Sequence, residues 1–442
     1  MKKATVPTVL ILFVLFSMLD AIAQEKQTKQ ASQWKAGVAS VVITPEQEIW
    51  MAGYGGRKKP SDGVTQDLYA KALALEDQSG VRFVIVTMDL IGVLRGVRDS
   101  VARKVEQQFK LPPAHLLLNA SHTHCGPEYR PRKGREKEAH DYRAKLEKSL
   151  VKVVGESLEQ LEAADVSYAR GRCGFAMNRR KNFSLPSDDP LAKRAPTFDG
   201  PVDHEVPVLW ITDAEGEPKA ILFTYACHAT TLSSTTIRPD EPVYMINGDY
   251  PGFAQEILQE AYPTATALFL NGCSADQNPY PRRDHVPGKL PLDLAEHHGR
   301  TLAYSVISAA PVAGVRPVTG GLRAAIVDVE LARSNGKPAH NHPVQVVLIG
   351  DQICLVALGS ETTVDYSLRL KREIECPLVW VSGYSNDYSG YVPSRRVAEE
   401  GGYEASNQFT LDVEERIVSK VHELLGRLNA ERKNSGRAEE SH

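Results

Sequence analysis

Apolar and polar residues along this chain follow two periods that take turns, one near 2 and one near 3.6. Trp34 to Ile43 has strand character and stops at Thr44-Pro45. Leu68–Leu75 and Val81–Asp89 continue the strand pattern, Val97–Phe109 has helical spacing, and Leu116–Ala120 returns to strand. Strands and helices alternating in this way predict an α/β fold. Arg135–Leu161 reads as a long helix with a solvated charged face, and Phe183–Val202, rich in Pro, Asp and Ser, as a loop. Val206–Ile211 and Ala220–Ala226 form a predicted hairpin. A helix over Pro251–Ala261, capped by Asp249, precedes a strand over Ala265–Leu270. Leu292–Ala309 is helical, with His297 and His298 read as surface. Leu322–Leu331, Val344–Ile349 and Ile353–Leu358 are predicted strands. A helix to about Glu373, a strand over Val379–Ser382 and a helix over Leu411–Leu428 complete the pattern. With no internal repeat, residues 34–429 read as a single large catalytic domain of mixed β-sheets flanked by helices. The polar stretch 430–442 is expected to be disordered.

The first residues change the picture of where the protein works. Lys2 and Lys3 precede an apolar run from Val9 to Leu19, and Ala21-Ile-Ala23 offers the small residues of a cleavage site. Residues 1–23 therefore read as a signal peptide, and the expected product is secreted or periplasmic. A net charge of −3 with 24% charged residues spread along the chain gives no field that would recruit nucleic acid. The six cysteines, Cys125, Cys173, Cys227, Cys273, Cys354 and Cys376, show no Cys-x-x-Cys spacing, which argues against a structural zinc site built from thiolates. Export would permit disulfides, but the sequence does not pair them.

Candidate chemistry gathers where apolar strands give way to polar turns. Leu116–Leu118 runs into Ser121-His122-Thr-His124, and on an extended segment residues two apart share a side, so both imidazoles are expected to face one pocket. Further along, His228, Glu361 and the Tyr388–Tyr391 loop also follow strands. In sheets flanked by helices, ligand sites lie beyond strand ends. Two or three imidazoles with a carboxylate make the donor set of a catalytic zinc with a position left open for water. Each residue also has a plain structural reading: His228 as a satisfied core histidine, Glu361 as a carboxylate favoured at a helix N-terminus, the tyrosines as packing. The glycine-rich Met51–Arg57 lacks the order of a dinucleotide or phosphate loop and reads as a tight turn.

Several of these segments resemble the neutral/alkaline non-lysosomal ceramidases. The resemblance runs from Gly37–Pro45 and Met51–Tyr54 to about Tyr403-Glu404-Ala405. Its most specific parts are Ser121–Pro127, Met177-Asn-Arg179, Gly359–Thr363 and Asn386–Val392. It implies zinc bound by His122, His228, Glu361 and Tyr391, with His124 and Arg179 near the reacting carbonyl. The family's catalytic loop reads Gly-Asp-Val-Ser-Pro-Asn, whereas this chain has Gly272-Cys-Ser-Ala-Asp-Gln-Asn278. Anchored on Asn278, the serine position is taken by Asp276; a shifted register keeps Ser274 there. A C-terminal immunoglobulin-like domain, present in full-length members, is not expected in this chain.

The resemblance thus implies a secreted zinc-dependent amidohydrolase that cleaves ceramide or a related N-acyl lipid to fatty acid and amine, with transient contact to a membrane surface. The rival readings are the same zinc site acting on a peptide, an acylated amino sugar or an ester, a non-catalytic binding homologue, and a metal-free serine hydrolase using Ser274. The last lacks a Gly-x-Ser-x-Gly elbow.

Overall fold

The computed structural model describes residues 33–180, 199–232, 244–282 and 291–439. The expected signal segment 1–23 and most of the Phe183–Val202 loop lie outside these residues.

Twelve strands build two principal sheets. In chain order they are β1 (Trp34–Val42), β2 (Tyr69–Asp77), β3 (Arg82–Met88), β4 (Leu116–Ala120), β5 (Glu162–Arg172), β6 (Glu205–Asp213), β7 (Pro218–Tyr225), β8 (Thr266–Asn271), β9 (Leu322–Leu331), β10 (His340–Ile349), β11 (Ile353–Leu358) and β12 (Leu378–Ser382). The large sheet has the order β8-β7-β6-β5-β1-β2-β3-β4, with the short Arg316–Pro317 pairing onto β5; the small sheet is β9-β10-β11-β12. Both are mixed, since β3–β4, β7–β8 and β11–β12 pair parallel while the other neighbours pair antiparallel.

The period of 2 decides the layers. In β4, Leu117 joins Leu73, Ile85, Val347, Leu355 and Trp380 in the core between the two sheets. Its neighbours Leu116 and Leu118 face the other way, onto α1 (Arg95–Phe109) and α2 (Glu136–Glu159). Farther along the same outer face, Phe223 and Phe269 pack on α3 (Asp249–Ala261) and α4 (Pro291–Ala313). The small sheet turns Val346, Leu348 and Val356 toward α5 (Val364–Glu373) and α7 (Val413–Glu439), with the short α6 (Arg395–Glu400) between them in the chain. The result is a helix–sheet–sheet–helix stack in which each buried Leu or Ile contributes roughly 1.5–3 kcal/mol.

Three expectations are corrected. His298 is buried rather than on the surface: its Nε2 meets the Pro281 carbonyl at 2.8 Å and its ring packs on Phe175, while its neighbour His297 is exposed. Asp249 lies inside the first turn of α3, with its carboxylate accepting from Tyr250 N and Leu232 N, and Gly248 holds the capping position. The stretch after Ala430 continues α7 to Glu439, because Ala430, Glu431 and Arg432 are good helix formers and Arg432 pairs with Asp351 at 3.0 Å. Among the described residues, no helix is long and apolar enough to cross a membrane.

The two edges of the large sheet come together at their C-terminal ends. Asn271 N, at the end of β8, donates to Asn119 Oδ1 of β4 at 2.9 Å. The turn after β12 wedges between them, bridging Asn119 with Ser385 and Gly272 with Ser382. Leu358 O, at the end of β11, accepts from Ser385 N at 3.0 Å, so four strand ends meet at one place.

Candidate metal centre

The turns that leave these strands are bent into a left-handed backbone. His122, Ser360, Tyr384 and Asn386, none of them glycine, have φ of 63°, 60°, 52° and 61°. Such residues persist only where their surroundings over-determine them. Here the Asn119 carboxamide supplies much of that constraint. Its Nδ2 donates to Ser382 Oγ, Gly383 O and Ser385 Oγ at 3.0, 2.7 and 3.1 Å. Asn271 Nδ2 in turn donates to Ser121 O at 3.0 Å. The expected route for His122 and His124 is thus corrected. They reach one pocket through a left-handed turn, not along an extended strand, because the strand ends at Ala120.

Three histidines converge from β4 and β7. The ligand nitrogens of His122, His124 and His228 lie within 4.8 Å of one another. Glu361, from the turn after β11, completes the group: its Oε2 is 3.3 Å from His122 Nε2 and 3.4 Å from His228 Nε2. His124 Nε2 stands 3.1 Å from His122 Nε2. Two ligand atoms at roughly 2.0–2.1 Å from one tetrahedral zinc stand about 3.3 Å apart, so this spacing is that of atoms arranged around an ion.

The protonation pattern agrees. His122 Nδ1 faces the Ile91 carbonyl at 2.6 Å and His228 Nδ1 faces the Ser274 carbonyl at 2.5 Å. A carbonyl only accepts, so both Nδ1 atoms carry the proton and both Nε2 lone pairs point inward. Burial, with the Arg179 charge adding to it, pushes the His228 pKa down to about 3. His124 is held well below its ordinary value by burial, then by His122 and His228. Burial works to raise Glu361, yet His122 and His228 hold its carboxyl well below the usual range. His228 Nε2 and Glu361 Oε2 are buried with no hydrogen-bond partner. Inward lone pairs and a carboxylate oxygen without a donor fit a divalent cation, and the residues present suit zinc.

The remaining expected site residues surround this group. Arg179 follows Ala176–Asn178, which pairs antiparallel with Gln277–Pro279. Its guanidinium donates to Glu404 at 2.9 Å, Asn278 at 3.3 Å and Tyr391 Oη at 3.1 Å. Tyr391 is set beside Glu361 by a parallel two-residue pairing. Ser274 is fully buried, with its Oγ on Tyr384 Oη at 3.0 Å. Asp276 is also buried: Oδ1 accepts from Val364 N at 3.0 Å and Oδ2 from Asn178 Nδ2 at 2.9 Å. Its backbone carbonyl accepts from Arg179 N at 2.8 Å, and burial pushes its pKa up to about 6.

Sequence reasoning missed three contributors. Tyr388 was noticed only as part of its loop; its hydroxyl donates to Glu361 Oε1 at 3.2 Å. Glu404, in the last matched segment, carried no signal of its own. The Met51–Arg57 loop packs on His124, with the Tyr54 ring 4.8 Å away. A cleft of about 1040 Å³ between Val42–Ile49 and the first half of α2 shares no lining residue with the histidines. None of the six cysteines is in a disulfide.

Comparison with known proteins bears on the family and the fold. Residues 34–268 match the family model described as neutral/alkaline non-lysosomal ceramidase, N-terminal. Neutral ceramidase B of Dictyostelium discoideum is 23% identical over 279 residues, 59% of this chain and 37% of that protein. Neutral ceramidase A of the same organism is 23% identical over 269 residues, 57% of this chain and 36% of that one. The matched stretch thus spans little more than a third of either relative. Among solved structures, the neutral ceramidase from Pseudomonas aeruginosa superposes with a TM-score of 0.72 at 18% identity, covering 90% of this chain and 75% of that one. A ceramidase complexed with C2 gives 0.73 at 18% identity, over 90% and 76%. At such identity the likeness speaks for the fold. The family model, by contrast, covers more than half of the 442 residues, and this chain belongs to the neutral/alkaline non-lysosomal ceramidase family.

Proposed function

We propose that this protein is a zinc-dependent hydrolase that cleaves the N-acyl bond of ceramide or a related N-acyl lipid into a fatty acid and an amine. The observation that carries the proposal is the convergence of His122 Nε2, His228 Nε2 and Glu361 Oε2 at 3.3–3.4 Å, with two of these atoms otherwise unpartnered. In this reading His122, His228 and Glu361 hold the metal, and Tyr391, beside Glu361, completes the set. Bound there, zinc supplies Lewis acidity toward the acyl carbonyl and lowers the pKa of water toward ~7.

The chain's own residues do the rest. His124 is the least enclosed of the three histidines and its Nδ1 has no fixed carbonyl partner, so it is the group that takes a proton from water and returns it to the leaving amine. Arg179, fixed on three sides, presents its cation to the acyl oxygen as charge develops. Asp276, with both carboxylate oxygens engaged, holds the start of α5 and the Asn178–Arg179 turn and leaves proton transfer to His124. Export of a 34–429 domain after removal of residues 1–23 belongs to the same proposal, supported by Lys2, Lys3 and the apolar run that follows.

A second reading keeps the metal chemistry and changes the substrate to a peptide, an acylated amino sugar or an ester. It is favoured by the Gly272–Asn278 loop, where Ser274 and Asp276 are both fully buried and offer substrate no hydroxyl or carboxylate.

The test is release of label from a short-chain labelled ceramide by zinc-loaded protein, with chelator and His122→Ala as controls. Release abolished by both supports the first reading. Stoichiometric zinc without release sinks the ceramide assignment and turns the search to the second.

A further inference from the structure

The glycine-rich Met51–Arg57 loop enters no step above, yet it closes over the back of His124. Arg57 is 7% exposed. Its guanidinium donates to the Ala52 carbonyl and, at 2.7 Å, to the His124 carbonyl. Among the described residues no carboxylate pairs with it, and its Nε is buried without a partner. The rings of Tyr54 and Tyr244 stand 5.0 and 5.7 Å from it. An unpaired buried cation is expensive, more so near a centre suited to a metal ion. What this one secures is a fork of two N–H donors on two carbonyls, a geometry lysine does not reproduce.

The loop also meets the imidazole itself. Tyr54 packs edge-on against it at 4.8 Å, and a Cβ on Gly53, which has φ of +93°, would stand 2.4 Å from His124 Cγ. His124 needs such support. His122 and His228 are aligned by carbonyls on Nδ1, whereas His124 Nδ1 has none.

We infer that Arg57 is a positioning residue for His124. It ties the Ala52 and His124 carbonyls together and so presses the Gly53–Tyr54 surface on the ring that keeps His124 Nε2 at 3.1 Å from His122 Nε2. The inference rests on the hydrolase reading only for its kinetic consequence.

The test uses the full chain with Arg57→Lys, Arg57→Ala and Gly53→Ala. In zinc-free protein, imidazole NMR with His124 assigned through His124→Gln reads the ring directly. The expected result is shifted or exchange-broadened His124 signals in all three variants, with His122 and His228 signals in place. In zinc-loaded protein, kcat on a labelled N-acyl substrate should fall about 10- to 100-fold with KM nearly unchanged. Added guanidinium should restore part of the rate of Arg57→Ala. His124 signals unmoved in Arg57→Lys, or all three histidines moving together, would overturn the inference. Should Arg57→Ala fail to fold, Arg57→Lys and Gly53→Ala decide. If wild-type protein hydrolyses no N-acyl substrate, the proposed function fails while the NMR comparison still judges Arg57.

Discussion

The two sheets meet twice, and the two meetings differ in kind. Midway along the strands, Leu73, Ile85 and Leu117 pack on Val347, Leu355 and Trp380, an apolar contact set by volume. Where the same strands leave the sheets, Asn119, Asn271, Ser382 and Ser385 are buried together and joined by hydrogen bonds. An apolar contact tolerates repacking, whereas a buried polar network fails when one member is lost. Two residues of β4 separate the regimes: Leu117 packs in the apolar core, and Asn119 ties together the turns that carry the candidate metal ligands.

The largest effect should come from the centre itself. Glu361→Ala or His122→Ala should abolish stoichiometric zinc and lower hydrolysis by about 10³-fold or more, on the order of 4 kcal/mol, as read by metal analysis and label release. A variant that keeps both would remove the metal reading.

The comparison is then broken or sharpened by a pair. Leu117→Ala should cost roughly 2–5 kcal/mol in denaturant unfolding and leave zinc affinity of the folded protein unchanged. Asn119→Ala should orphan several buried groups at about 1–3 kcal/mol each and weaken zinc about 10- to 100-fold in chelator competition. Equal zinc loss in both variants would mean that the two regions are one.

Asp276 gives a pH signature. Its folded pKa, about 6, lies above the unfolded value of 3.8, so the folded state holds the proton more tightly. Its contribution is full below pH 3.8 and is lost as pH rises through about 6, roughly 3 kcal/mol in all. In zinc-free protein, Asp276→Asn should remove that decline from the stability profile; an unchanged slope between the two values would place Asp276 in a wetter setting. The smallest effect is Tyr388→Phe. It deletes the 3.2 Å bond to Glu361 and should weaken zinc by roughly 5- to 10-fold with little change in thermal midpoint.

The strands over Leu116–Ala120 and Ile353–Leu358 and the end of α5 at Glu373 stand where periodicity puts them, because their causes lie within a few residues. His298 escaped that reading, since spacing along a helix does not reveal that Phe175 waits on one side of an adjacent pair. The Met51–Arg57 loop escaped it for a stronger reason. Read alone it is a turn, and its partner His124 is 67 residues away.

By itself the sequence set out the order of elements, the segments that resemble the ceramidase family, and imidazoles and a carboxylate at strand ends as candidate donors. These follow from local pattern and residue chemistry. Only the tertiary structure decided which atoms meet. It placed His122 in a left-handed turn, set Glu361 between two imidazoles, and buried Ser274 and Asp276 in the loop where the family carries its serine. The physical reason is that convergence and desolvation belong to groups joined across the fold, as Asn119 is to Asn271 over 152 residues, and no local pattern records them.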